Sequence, residues 1–165
     1  MTNLNTQAFL SNGPQTCALT DLTDLPRVGF RGSDSAGYLQ AHGYHLPSLP
    51  NQALRQDDGG WVVRLSASEY LLLGSLSDQG ARVAAQEAEW VQGAQRNYLL
   101  PRQDSHAWLQ VSGQHCSAVM AKLCGVDLRA QAFPVGALAQ TSAARINVIV
   151  VNVASEGVPR LQILF

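Results

Sequence analysis

The stretch "LQVSGQHCSAVMAKLCGVDL", residues 109–128, decides the fold because its grammar occurs twice in the chain. Trp108, Gln110 and Ser112 alternate with Leu109 and Val111, which is the period of a strand with two unlike faces. Gly113 ends that strand. Cys116, Val119, Met120, Leu123 and Cys124 then recur at i, i+3 and i+4 spacing, the apolar stripe of a helix, and Gly125 stops it. The stretch "VGFRGSDSAGYLQAHGYHL", residues 28–46, has the same order of strand, Gly, helix, Gly, two residues and Leu. Gly32 and Gly113 lie 81 positions apart, while Gly43 and Gly125, like Leu46 and Leu128, lie 82 apart. One residue is therefore gained within the second helix or at its end.

An internal repeat constrains the fold more than any single motif. In the first half "QALRQ", "WVVRLS" and "YLLLGS" read as three short strands, followed by a helix over residues 81–96 with Val83, Trp90 and Val91 on its apolar side. In the second half "AFPVGALAQTSAARINVIVVNV" gives two strands around a short turn, and "RLQILF" gives a last one. The expected class is α+β: two β-α-β-β-β repeats forming antiparallel sheet packed with helices on one side. Residues 1–22, rich in Asn, Thr, Gln and Ser with an "NGP" turn signal, read as a loosely ordered arm. Residues 23–165 read as one domain of two half-repeats, about 25–97 and 98–165.

Composition narrows the function classes. Of 165 residues, 46% are apolar and 14% charged, enough for a buried core and unlike a disordered chain. A net charge of -1 with scattered Lys and Arg argues against nucleic acid as a partner. No run approaches the roughly 20 apolar residues of a membrane span, and the N-terminus lacks a signal-peptide pattern, so a cytoplasmic protein is expected. Three cysteines, Cys17, Cys116 and Cys124, with no CxxC, give neither a disulfide framework nor a zinc site.

Candidate chemistry concentrates in "PRQDSHAWLQVSG", residues 101–113, where Arg102, Asp104, Ser105 and His106 crowd together. Ser, His and Asp are the parts of a hydrolase triad, but neighbouring residues of an extended segment point to opposite faces and cannot converge. No G-x-S-x-G elbow exists to supply a nucleophile. The stretch reads as a strand approach in which Arg102 and Asp104 pair or cap, with a contact role beside it. "GSDSAG", residues 32–37, lacks phosphate-loop spacing and reads as a helix cap. His42 and His45 have no carboxylate at metal-ligand spacing, and His115 and Cys116, consecutive on a helix, cannot face each other. "AQTSAAR" places Gln140 and Ser142 on one strand face and Thr141 on the other, with Arg145 after them, a polar interruption suited to a wet face or a cleft.

Four segments in order, "LPRVGFRGSDSAGYLQAHGYHLP", "PRQDSHAWLQVSG", "KLCGVDLRAQAFPVGALAQTS" and "RINVIVV", resemble the gamma subunit of heterotetrameric sarcosine oxidase. That subunit sits within the wider folate-binding superfamily of the glycine-cleavage T-protein (aminomethyltransferase). The likeness spans residues 19–165, and its most specific part is FPxG followed by AQT at Phe133–Thr141. The resemblance implies the T-protein-like fold and a place in a complex that oxidatively demethylates sarcosine to glycine. FAD, FMN and NAD would reside in larger alpha- and beta-type partner subunits, with tetrahydrofolate as the one-carbon acceptor. Relatives that repair iron–sulfur clusters carry K-G-C-x-x-G-Q-E. Here "VGALAQT" keeps Gly136 and Gln140 without the cysteine. The sequence ends at "RLQILF", where the gamma family continues into another helix.

These readings lead to a non-catalytic subunit with no metal, whose folate or subunit contacts are Arg102, Asp104, His106, Gln140, Thr141 and Arg145. Two alternatives stand beside it. A stand-alone tetrahydrofolate-binding protein or one-carbon transferase would place Asp104 or Asp127 in a pterin-sized pocket. A self-associating structural protein would carry no ligand.

Overall fold

The two glycines that mark the repeat both leave their strands with positive φ, 146° at Gly32 and 114° at Gly113. Each turns the chain into a helix by the same pair of backbone hydrogen bonds. Ser35 N–H donates to Gly32 O at 3.2 Å and Tyr38 N–H to Asp34 O at 3.0 Å. Eighty-one residues on, Cys116 N–H donates to Gly113 O at 3.1 Å and Val119 N–H to His115 O at 2.9 Å. The 81-residue register still holds at Leu39 and Met120, both buried on the inner helix faces, so the gained residue lies at the helix end.

The computed structural model describes residues 17–165. Its strands and helices are, in chain order, β1 (Ala18–Asp21), β2 (Arg27–Arg31), α1 (Ser35–Ala41), β3 (Gln52–Arg55), β4 (Trp61–Arg64), β5 (Glu69–Leu73), α2 (Ala81–Glu89), β6 (Tyr98–Pro101), β7 (Trp108–Ser112), α3 (Cys116–Met120), β8 (Leu138–Ala143), β9 (Ile146–Asn152) and β10 (Arg160–Leu164). They form two five-stranded antiparallel sheets, β3-β4-β5-β2-β6 and β8-β9-β10-β7-β1. The chain divides into one unit of residues 24–105 and another of residues 17–23 with 106–165.

In the unit of residues 24–105, Val28, Phe30, Val62, Tyr70 and Leu72 of the sheet pack with Leu39 of α1 and Val83 of α2. Burial of each such aliphatic side chain contributes about 1.5–3 kcal/mol. Tyr38 ties the helices together, because Gln86 Nε2 donates to its hydroxyl at 2.9 Å. In the other unit Val111, Val148, Val150, Leu161 and Ile163 pack with Cys116, Met120 and Cys124 of α3 and the turn that follows it. Both cysteines thus serve as small core residues.

Several elements differ from the sequence reading. Within the span read as an arm, Ala18–Asp21 is a strand paired with β7 from Ala18↔Ser112 to Asp21↔Leu109, and residues 1–16 lie outside the described residues. Tyr98–Pro101, assigned to the second half-repeat, pairs with β2 and completes the first sheet. Helix α2 stops at Glu89: Trp90 is extended (φ -68°, ψ 131°) and Val91 is exposed, since the polar run after it has no apolar stripe to bury. Helix α3 is only five residues long, and turns carry the chain on to Cys124. The β8–β9 hairpin turns through Ala144 and Arg145, both at positive φ (49° and 70°), the twist-matched turn that normally favours Asn-Gly.

Candidate functional site

The six candidate residues do not form one cluster. Arg102 follows β6, and its guanidinium donates to Glu69 Oε1 on β5 at 2.9 Å. Arg31 approaches the other oxygen of the same carboxylate at 3.9 Å, so Glu69 lies between two cations. Gly29 makes room for this pair, because a Cβ there would stand 3.0 Å from Arg102 Nε. The expected pairing of Arg102 with Asp104 gives way to this arrangement. Asp104 is exposed in a turn that Ser105 N–H closes onto Arg102 O at 3.4 Å.

His106, Gln140 and Thr141 do come together, in the unit that holds residues 106–165. They line a cleft of about 360 Å³ with Asn147, Ile149, Leu164 and Phe165. Strand register explains how Gln140 meets Ile149 and Leu164. Gln140 pairs with Ile149, Ile149 with Leu164 and Leu164 with Trp108, so one row runs across four strands. His106 lies two residues before Trp108, in the segment that leads into β7. Ala107 and Phe165 exchange backbone hydrogen bonds of 2.7 and 3.2 Å, which fixes the approach to β7 against the end of β10. Arg145 lies outside the cleft lining, exposed on the hairpin turn.

Imidazole, amide and hydroxyl groups can orient a polar ligand by hydrogen bonds. No Asp or Glu side chain stands among the described residues of the lining. Asn147 and Phe165 carried no distinguishing signal in the sequence; only Asn147's place in the β9 alternation could have pointed to the cleft.

Other candidate chemistry resolves into structure. Asp34 accepts the Arg96 backbone N–H at 2.8 Å, a bond that lowers its carboxyl below the usual range and ties the "GSDSAG" loop to the segment before β6. The loop's side chains therefore do not cap α1, contrary to the capping expected from Ser33 or Asp34. His42 Nδ1 lies 2.8 Å from Tyr38 O, and His45 lies 3.9 Å from Asp57. Among the described residues no group of three or more His, Cys, Asp or Glu is placed to hold a metal ion. Burial pushes the Cys116 thiol up, away from a reactive thiolate.

Asp127 is clamped by Arg129, which donates from Nε at 2.8 Å, from Nη2 at 2.6 Å and from its backbone N–H at 3.1 Å. These bonds hold its carboxyl down to about 2. It is thus an ionised partner of an arginine at neutral pH. Its native pKa lies below the unfolded value, so the clamp favours folding above the unfolded pKa and that preference fades as pH falls toward 2. In NMR titration the carboxyl of Asp127 should titrate near 2, and Arg129→Ala should raise it toward the ordinary carboxylate range, the backbone N–H of residue 129 keeping part of the shift. A normal midpoint in the unmodified chain would remove the clamp.

No protein-family model and no curated protein matches the sequence. Solved structures do. A chain of the heterotetrameric sarcosine oxidase from Corynebacterium sp. U-96, in complex with pyrrole 2-carboxylate, matches with a TM-score of 0.70 at 21% identity, over 90% of this chain and 75% of that one. The glycine cleavage system aminomethyltransferase T from Bartonella henselae matches with a TM-score of 0.62 at 16% identity, over 89% of this chain. The chain spans 41% of that aminomethyltransferase. Its fold is the sheet-dominated, T-protein-like α+β fold of these proteins. No helix among the described residues is long and apolar enough to cross a membrane.

Proposed function

We propose that the chain is a non-catalytic, gamma-like subunit of a sarcosine-oxidase-type, folate-linked complex. The observation that carries this reading is the fit to a sarcosine oxidase chain over 90% of this chain and 75% of the other. A cleft lined by the polar side chains of His106, Gln140 and Thr141, suited to a contact role, supports it. In this reading FAD, FMN and NAD sit in alpha- and beta-type subunits, where sarcosine is demethylated. This chain shapes or stabilises the complex through contact residues among Arg102, Asp104, His106, Gln140, Thr141 and Arg145. Tetrahydrofolate would be used by the complex, while the isolated chain would hold none.

The test is to purify the tagged chain from its own cells and assay sarcosine oxidation. Flavin absorbance and sarcosine-dependent activity should copurify with it. His106→Ala should leave that activity within a few-fold, whereas loss of an acid–base group costs about 10²–10⁴. Calorimetry on the isolated chain with 5-formyltetrahydrofolate should show no binding. Micromolar binding by the chain alone would support a stand-alone folate protein instead. Recovery of the chain only with copies of itself would support a self-associating structural protein.

A further inference from the structure

The two units share one topology, and a charge at one position in it is neutralised in only one of them. Strand order β3-β4-β5-β2-β6 matches β8-β9-β10-β7-β1 strand for strand. Glu69 of β5 pairs with Arg31 of β2 as Arg160 of β10 pairs with Ser112 of β7, one residue before the repeated glycine in each case. In the unit of residues 24–105, Arg102 at 2.9 Å and Arg31 at 3.9 Å neutralise Glu69. In the other unit Arg160 is half-buried, and its Nη1 donates to the neutral hydroxyl of Ser155. No carboxylate among the described residues lies within ion-pair distance of it. A cation partly withdrawn from water without a counter-ion loses solvation that an anion would restore.

Arg160 lines a cleft of about 690 Å³ formed by the start of α3, residues 128–135 and the turn that joins β9 to β10. That volume lies within the range of small-molecule sites. Of the apolar lining, Leu128 and Leu161 are buried, Val158 is half-buried and Val135 is 58% exposed. Gln114, Gln131 and Arg129 add exposed polar groups. No Asp or Glu side chain stands among the described residues of the lining. Arg129 is already held by Asp127 at 2.6 Å, so the positive charge left to the cleft is that of Arg160.

We propose that this cleft binds a small organic anion, a carboxylate or phosphate ester on a hydrocarbon body, with Arg160 as the partner of the anionic group. The planar guanidinium fork matches the oxygens of either group. The side-chain amides of Gln114 and Gln131 supply neutral donors in the same lining. Leu128, Val135, Val158 and Leu161 offer apolar contact, which suits a hydrocarbon body and not a polar heterocycle. The cleft shares no residue with the one lined by His106, and its occupation does not depend on the subunit reading.

The test is an NMR titration of the full-length chain with three probes: 4-phenylbutyrate, phenyl phosphate and the neutral 4-phenylbutanamide. Backbone amide shifts should cluster at Gln114, Gln131, Val135 and Arg160. At least one anion should bind about 10-fold or more tightly than the neutral amide, the size of a charge-assisted hydrogen bond. The tighter of the two anions identifies the anionic group. Arg160→Gln, which keeps a donor for Ser155, should bring that anion down to the level of the neutral probe. Val135→Asp tests the same point at an exposed position that the fold tolerates, and its carboxylate should weaken the anion and spare the neutral probe. Equal binding of all three probes, no saturable binding by either anion, or shifts confined to other surfaces would overturn the proposal. So would an anion affinity that neither substitution changes.

Discussion

Gly32→Ala should cost the fold about 4 kcal/mol or more, a large share of the roughly 5–15 kcal/mol that holds a domain together. A Cβ at residue 32 would stand 1.9 Å from Arg96 O and 2.7 Å from Arg96 C, on a backbone whose φ of 146° already disfavours a side chain. The neighbour cannot move aside cheaply. Arg96 N–H donates to Asp34 Oδ2 at 2.8 Å, Asp34 N–H donates to Arg96 O at 3.1 Å, and Ser35 Oγ donates to Asn97 Oδ1 at 2.8 Å. The substitution therefore prises a multiply bonded segment from the start of α1. Denaturant unfolding should show the loss as a lower midpoint with an unchanged slope. Gly37→Ala supplies the control: nothing lies within 4 Å of a Cβ there, and the helix should gain about 0.5–1 kcal/mol. A Gly32→Ala variant as stable as the parent would mean that the approach of residues 32 and 96 is wrong.

Trp108→Ala should cost about 3–5 kcal/mol, the range for removing a large aromatic from a packed interior. Trp108 is 0% exposed. Its backbone already holds the chain before β2 in place, since Leu22 N–H donates to Trp108 O at 2.8 Å and Trp108 N–H donates to Thr23 Oγ1 at 3.1 Å. Those bonds survive the change to Ala, so the loss isolates the side chain. The indole Nε1–H is buried without a hydrogen-bond partner among the described residues, a cost of about 1–3 kcal/mol that Phe does not incur. Trp108→Phe should therefore stay within about 1 kcal/mol of the parent, as the smaller ring's cavity offsets the relief. If Trp108→Phe proved as damaging as Trp108→Ala, the indole N–H would have to be bonded in the folded protein. The two variants are separable by a single chemical-denaturation series.

The candidate site was legible only in part. Gln140 and Thr141 stood out because polar residues interrupt an apolar meander, and His106 because it crowds with Arg102, Asp104 and Ser105 in the polar approach to a strand. The same reading grouped Arg102 with His106, four residues apart, although Arg102 pairs with Glu69 of β5 and His106 lines a cleft with β8 and β9. Adjacency along the chain carried no information about which sheet each side chain would meet.

What the sequence by itself determined is the local grammar and its repetition. Gly32 and Gly113 recur at 81 residues because each must turn a strand into a helix through a backbone conformation that disfavours a Cβ. The periods of two and three to four at Leu109–Ser112 and Cys116–Cys124 follow from the geometry of strand and helix. What only the tertiary structure decided is pairing. β1 and β6 are four residues long, and their partners are distant for β1, where Ala18 meets Ser112, and unmarked for β6, where Tyr98 meets Arg31. Backbone N–H and C=O groups are the same in every strand, so they reward any partner equally. The choice among partners falls to burial of side chains that meet only after the chain has folded, as Leu19 meets Val111 and Leu99 meets Phe30.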